Sequence, residues 1–245
     1  MRCLPLLIVA TLLGTLAPAA RPAPTEARLL DALSESHASG APEPPVWEPP
    51  PFPAPPGYRL PWPAGVPHRV TQGPGGAFSH GGTEAYDFDL RFEVIVAARG
   101  GRVAMVREDG YLGGCDASYT AQENYIVIDH GDGTSALYLH IDYDGALVQE
   151  GQLVRQGDAI AYSGDTGVTC SERGAVPAPH LHFQVQRMVA GRAQTETIPV
   201  TFDDVPDGGR PWTDQEVISG NGASPHNTFY VFMSWIYRPR AYQRR

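Results

Sequence analysis

The chain has 245 residues, 42% of them hydrophobic, with 27 glycines and 24 prolines, which is room for one domain of ordinary size with appendages or for two small ones. A formal net charge of -9 argues against a nucleic-acid partner, whose phosphates call for a basic face. It gives no reason either for adhesion to an anionic membrane.

Residues 1–19 are expected to be a signal peptide. Arg2 supplies the positive start, Leu4 to Leu16 an apolar core, and Ala17-Pro18-Ala19 the small residues before a cut after Ala19. That core is shorter than the roughly 20 residues needed to span a bilayer, so no transmembrane segment is expected in the mature chain. Cys3 lies too early to be a lipobox cysteine. The expectation is export to a bacterial envelope, periplasmic or secreted. Removing the signal leaves Cys115 and Cys170, and in an oxidising compartment an isolated pair on two loops favours a disulfide over free thiols. Neither has the company of a four-ligand structural zinc site.

Residues 20–67 form a proline-rich, low-complexity linker. From 41 on, proline recurs too densely for a helix or a paired strand, so the stretch reads as an extended spacer. It serves as a tether or as the docking site of an envelope partner. Packing of Trp47, Phe52, Tyr58 and Trp62 onto the domain surface is the other reading.

From His68 the texture changes to short apolar runs. Strands are predicted over 86–90, 94–98, 102–106, 125–130, 135–141, 152–154, 158–163 and 181–186. Glycine turns such as Gly100-Gly101, Asp132-Gly133 and Asp144-Gly145 separate them, and no long period-3.6 segment lies among them. The domain, 68–205, is therefore all-β: a compact antiparallel barrel or sandwich with long loops. Residues 206–245 form a C-terminal extension. Its apolar part, 229–236, is too short to cross a membrane and reads as a last element laid over the domain or as a docking segment.

Three stretches carry candidate chemistry. In PAPHLHFQVQ, 177–186, strand alternation puts His180, His182, Gln184 and Gln186 on one face and Leu181, Phe183 and Val185 on the other. Two such imidazoles suit one shared metal, or a metal ligand beside a proton carrier; two surface histidines would look the same. Upstream, His80 sits in a glycine-flanked loop and Asp87 at the start of a strand. Two imidazoles, one carboxylate and an open position form the ligand set of a catalytic zinc, although a loop histidine and a solvated aspartate are equally ordinary. In YLH, Tyr138 and His140 share a strand face, and a histidine ending a strand is commonly a surface residue. His130, before an Asp-Gly turn, reads as part of a hairpin.

Taken in order, these stretches resemble the M23 metallopeptidases of the lysostaphin and LytM type. The family's elements read here as SHGGTEAYDFDL, YLH, the glycine-spaced GQLVRQGDAIAYSGDTG, and PHLHF, spanning about residues 70–190. The resemblance implies a LytM-type β domain with groove-forming loops and Zn2+ held by His80, Asp87 and His182. It implies His140 and His180 as catalytic histidines that are not ligands, and a peptidoglycan peptide as substrate. Two departures stand out: His80 to Asp87 is a longer spacing than the usual His-x-x-x-Asp, and RFEVIVAA occupies the place of a Pro-x-Gly-Thr-Pro turn.

The expected function is a zinc-dependent endopeptidase cutting amide bonds in peptidoglycan peptides, with Cys115 and Cys170 bridged to shape a groove wall. The alternative is a non-catalytic LytM-like envelope protein that regulates another cell-wall hydrolase. A lipoyl-like carrier reading of 151–167 fails, because the sequence contains no lysine to carry the group.

Overall fold

The structure, a computed structural model, describes residues 51–54, 56–171 and 174–222. The signal-peptide reading, most of the spacer and the 229–236 segment lie outside those residues. The described residues form β1 (Pro67–Gln72), β2 (Ala85–Phe88), β3 (Val94–Val96), β4 (Gly101–Arg107), β5 (Gly113–Gly114), a 3-10 turn at Ala117–Gln122, β6 (Tyr125–Asp129), β7 (Thr134–Leu139) and β8 (Ile141–Ala146). Then follow β9 (Leu153–Val154), β10 (Ala159–Ser163), β11 (Gly167–Val168), β12 (Cys170–Ser171), β13 (Gly174–Pro177), β14 (Leu181–Arg187), β15 (Thr197–Ile198) and β16 (Glu216–Ile218).

The large sheet runs β16-β1-β2-β14-β7-β6-β4-β9, with β15 pairing onto β14. A second sheet, β3-β10-β8, faces it. Every pairing in both is antiparallel, as the short glycine-turned runs require. Parallel pairing is confined to β5 with β11, at the groove loops, and to an isolated bridge between Tyr58 and Phe202 among the described residues. The fold is thus the all-β antiparallel sandwich expected.

Its core follows from strand alternation. Phe88, Ile126, Ile128, Tyr138 and Phe183 from the large sheet pack with Ile95, Ile160 and Ala161 from the small one. A fully buried side chain such as Phe183 is worth about 1.5–3 kcal/mol over the same group left in water. The central strands are apolar on the other face too, where Val127, Leu137 and Leu139 form a separate cluster. That second face carries the site.

Residues that the sequence assigns to the spacer also enter the core. Leu60 and Trp62 are fully buried. Trp62 meets Phe88 edge-on at 4.9 Å and donates its indole N–H to Val66 O at 2.8 Å, the partner a buried indole needs. The Leu60 amide donates to the Asp204 carboxylate at 3.0 Å. Beyond residue 205, β16 pairs with β1 and buries Val217, so both flanks contribute to the packed unit.

Candidate metal centre and groove

Antiparallel register sets the site. His182 on β14 lies directly opposite Asp87 on β2 and opposite Leu139 on β7, and directly opposed residues share a sheet face. His80 arrives from the loop between β1 and β2. Turn bonds His80 N–H to Gly76 O and Thr83 N–H to His80 O, both 3.0 Å, coil that loop back over the strands. Gln72 fastens it further: its Oε1 accepts from the amides of Phe78 and Ser79, while its Nε2 donates to Asp87 Oδ2 at 3.1 Å.

The three donor atoms converge. His182 Nδ1 lies 2.9 Å from Asp87 Oδ1, His80 Nε2 lies 3.2 Å from the same oxygen, and the two nitrogens are 3.3 Å apart. Ligands about 2.0–2.2 Å from one ion, in tetrahedral directions, sit roughly 3.3–3.5 Å from one another, so the triangle, with edges of 2.9, 3.2 and 3.3 Å, is near that size and slightly tighter.

The surrounding hydrogen bonds fix where the protons are. His80 Nδ1 lies 3.1 Å from Gly73 O, which only accepts, so that nitrogen carries the proton and Nε2 is a bare lone pair. For His182 the argument runs along β14. Ala193 O accepts from Gln186 Nε2 at 2.6 Å, and Gln186 Oε1 accepts from Gln184 Nε2 at 2.7 Å and from the Thr195 amide. Gln184 Oε1 is left to accept from His182 Nε2 at 3.1 Å, so Nδ1 is bare. When both rings are neutral, two lone pairs and a carboxylate oxygen point at one spot, and a cation or a shared proton relieves that repulsion. The residues fit a divalent ion of the zinc type.

Without a cation, the electrostatics favour a proton in that place. Burial pushes Asp87 up, but the charge of His180 and hydrogen bonds with His182 and His80 outweigh it and hold the carboxyl well below its usual range. Burial likewise pushes His182 down, yet Asp87, by hydrogen bond and by charge, lifts the imidazole above its ordinary value. A proton and a cation compete for the same place.

Two more imidazoles flank the triangle. His140 and His180 have ring centroids 4.6 Å apart. His140 donates Nδ1–H to Thr166 O at 2.8 Å and His180 donates Nδ1–H to Ala178 O at 2.9 Å. His180 Nε2 stands 3.7 Å from Asp87 Oδ1. Burial first, then the charges of His180 and His182, hold His140 well below its usual pKa, so it stays neutral with Nε2 free. The sequence puts Tyr138 and His140 on one strand face; they part company. β7 stops at Leu139 and His140 takes φ 63°, a left-handed conformation costly for a residue with a Cβ. That twist carries its ring to the site, while Tyr138 stays in the core with its hydroxyl accepting from the Ala98 amide at 2.8 Å.

These groups line a groove of about 720 Å³, whose walls include Phe78, Glu123, Val168, Gln184 and both cysteines. Cys115 and Cys170 form a disulfide, Cα to Cα 4.7 Å, as expected. Three contributors were not singled out from sequence as site residues: Gln72, Gln184 and Glu123. The strand alternation of 181–187 places Gln184 beside His182; nothing local marks the other two.

An all-β domain with mixed imidazole and carboxylate donors, open to a groove and flanked by spare imidazoles, has the make-up of a metallohydrolase. Residues 83–196 match the family model described as Peptidase family M23, and that stretch is similar to the members of that family; His80 lies just ahead of the matched stretch. The peptidoglycan DD-endopeptidase ShyB of Vibrio cholerae serotype O1 is 37% identical over 119 residues, 48% of this chain and 22% of ShyB. ShyA of the same organism is 36% identical over 114 residues, 46% of this chain and 21% of ShyA. The chain thus spans about a fifth of the length of these relatives. Among solved structures, the peptidase lysostaphin from Staphylococcus simulans aligns at 25% identity and TM-score 0.33, over 50% of this chain and 44% of that one.

Proposed function

We propose that this protein is a zinc-dependent endopeptidase that hydrolyses amide bonds in peptidoglycan peptides of a bacterial envelope. The observation that carries the reading is the convergence of His80, Asp87 and His182 donor atoms at the floor of a groove, with two imidazole Nε2 atoms beside it. The endopeptidase names of the related Vibrio proteins support the choice of substrate. A disulfide in the groove wall and the signal-like N-terminus support a place outside the cytoplasm.

His80, Asp87 and His182 would hold the ion, and what the ion supplies is Lewis acidity, which acidifies water toward neutrality and polarises a carbonyl. The chain's own groups do the rest. His140 and His180 have their Nδ1–H groups tied to backbone carbonyls, which fixes the rings and leaves Nε2 to take a proton from attacking water. The same atom, once protonated, stabilises a developing oxyanion or hands the proton to the leaving amine. Asp87 stays ionised and gives the centre its negative charge.

The test is digestion of purified peptidoglycan by wild type and by His182→Ala, read by mass spectrometry. New peptide termini are expected with wild type only. Identical fragment patterns would remove the enzyme and leave the regulatory alternative, which absence of zinc from the purified protein would strengthen.

A further inference from the structure

The groove contains one charged side chain that hydrolysis does not use. Among the described residues lining it, the carboxylates are Asp87 and Glu123, and none is Lys or Arg. Asp87 is committed to the histidine cluster. Glu123 is not among the converging donor atoms.

Its position is built. Glu123 caps the 3-10 turn, its amide donating to Thr120 O at 3.2 Å, immediately before the strand that leads under the site. Val168, on the opposite groove loop, lines the same wall. A Cβ added at Gly167 would come within 2.2 Å of Glu123 Cγ, so the glycine leaves the room in which the side chain stands. The disulfide Cys115–Cys170 ties the same two loops together. His182 and, more weakly, Arg107 act on Glu123 through charge, but Arg107 spends its guanidinium on Asp109 and Ala121 O. A half-buried carboxylate is thus held on the wall of a peptide-sized groove.

We propose that Glu123 determines specificity in this groove by receiving a cationic amine of the peptide substrate beside the amide to be cut. The inference rests on the endopeptidase reading and deepens it. Peptidoglycan stem peptides contain a diamino acid whose side-chain amine is free wherever it is not cross-linked. An ammonium bonded to a partly desolvated carboxylate is a charge-assisted pair. A neutral group in the same place leaves the carboxylate covered and unpaired, which penalises the wrong substrate.

The experiment compares muropeptides bearing a free amine with the same muropeptides after N-acetylation. Equilibrium binding by calorimetry and turnover are measured with wild type and with Glu123→Gln. Wild type is expected to bind the free-amine form at least tenfold more tightly, and E123Q to bind both forms alike, near the wild-type affinity for the acetylated one. Equal wild-type affinities, binding of neither form, or an amine preference that survives in E123Q overturns the inference; the wild-type comparison decides even where the variant folds poorly. Amine-selective binding without turnover upholds the role of Glu123 and removes the endopeptidase reading instead.

Discussion

His182 shows how much of an imidazole's behaviour lies outside its own ring. The acceptor at Ala193 O orients Gln186, Gln186 orients Gln184, and Gln184 Oε1 accepts a hydrogen bond from His182 Nε2–H. Replacing Gln184 by Leu removes the last acceptor and frees the ring to adopt the other tautomer. Loss of such an outer partner typically costs about 10–100-fold in metal affinity. Zinc affinity measured by chelator competition is expected to fall by that order in Q184L, with the fold intact by circular dichroism. Unchanged affinity would mean that the amide run is packing and nothing more.

At the scale of elements, the site sits where a sheet and two loops are made to coincide. β2 and β14 supply a register-matched pair, and the left-handed turn between β7 and β8 supplies His140. The loops on either side of the groove are fastened by the disulfide, which closes a sequence separation of 55. A loop of that length carries a chain-entropy advantage of about 4 kcal/mol. Denaturant unfolding of the double variant Cys115→Ala, Cys170→Ala is expected to show a loss of that order. A loss well under about 1 kcal/mol would indicate that the loops hold their positions without the bridge. The 51–66 stretch makes the complementary point. A run that composition assigns to a spacer delivers Leu60 and Trp62 into the core, because a few apolar side chains can be buried from an extended segment whose amides find partners such as Asp204.

For the whole molecule, His130 couples stability to pH. Burial, chiefly, holds its imidazole down to about 4, and its Nδ1–H is spent on Gly100 O at 2.7 Å. The unfolded chain takes up this proton near pH 6.5, the folded one only near pH 4. Between those values the unfolded state binds more protons, so stability is complete above the upper value and falls as pH drops through the window, by about 3 kcal/mol. Asp132, held to about 2 because hydrogen bonds from Thr134 and Arg99 outweigh its burial, stays charged throughout. Unfolding free energies at pH 7 and pH 4.5 are expected to differ more for wild type than for His130→Asn, whose amide can still donate to Gly100 O. Equal slopes would show that His130 is protonated in the folded state.

What could be read from the chain alone was whatever is written in period and order. Alternation announces β14 and its two faces, glycine turns announce antiparallel strands, and the succession of His80, Asp87, His140, His180 and His182 suggests the family and its site. Tertiary structure decided what depends on groups distant in sequence. Gln72 and Glu123 matter only because a loop and a strand bring them beside Asp87 and the groove, and His140 reaches the site through its own left-handed backbone while Tyr138 stays in the core. Even the proton positions come from backbone carbonyls at Gly73 and Ala193, whose direction no side-chain pattern encodes. A strand's period is a local property of the backbone, whereas a tautomer, a neutral buried imidazole or a lone carboxylate in a wall is a property of what surrounds it.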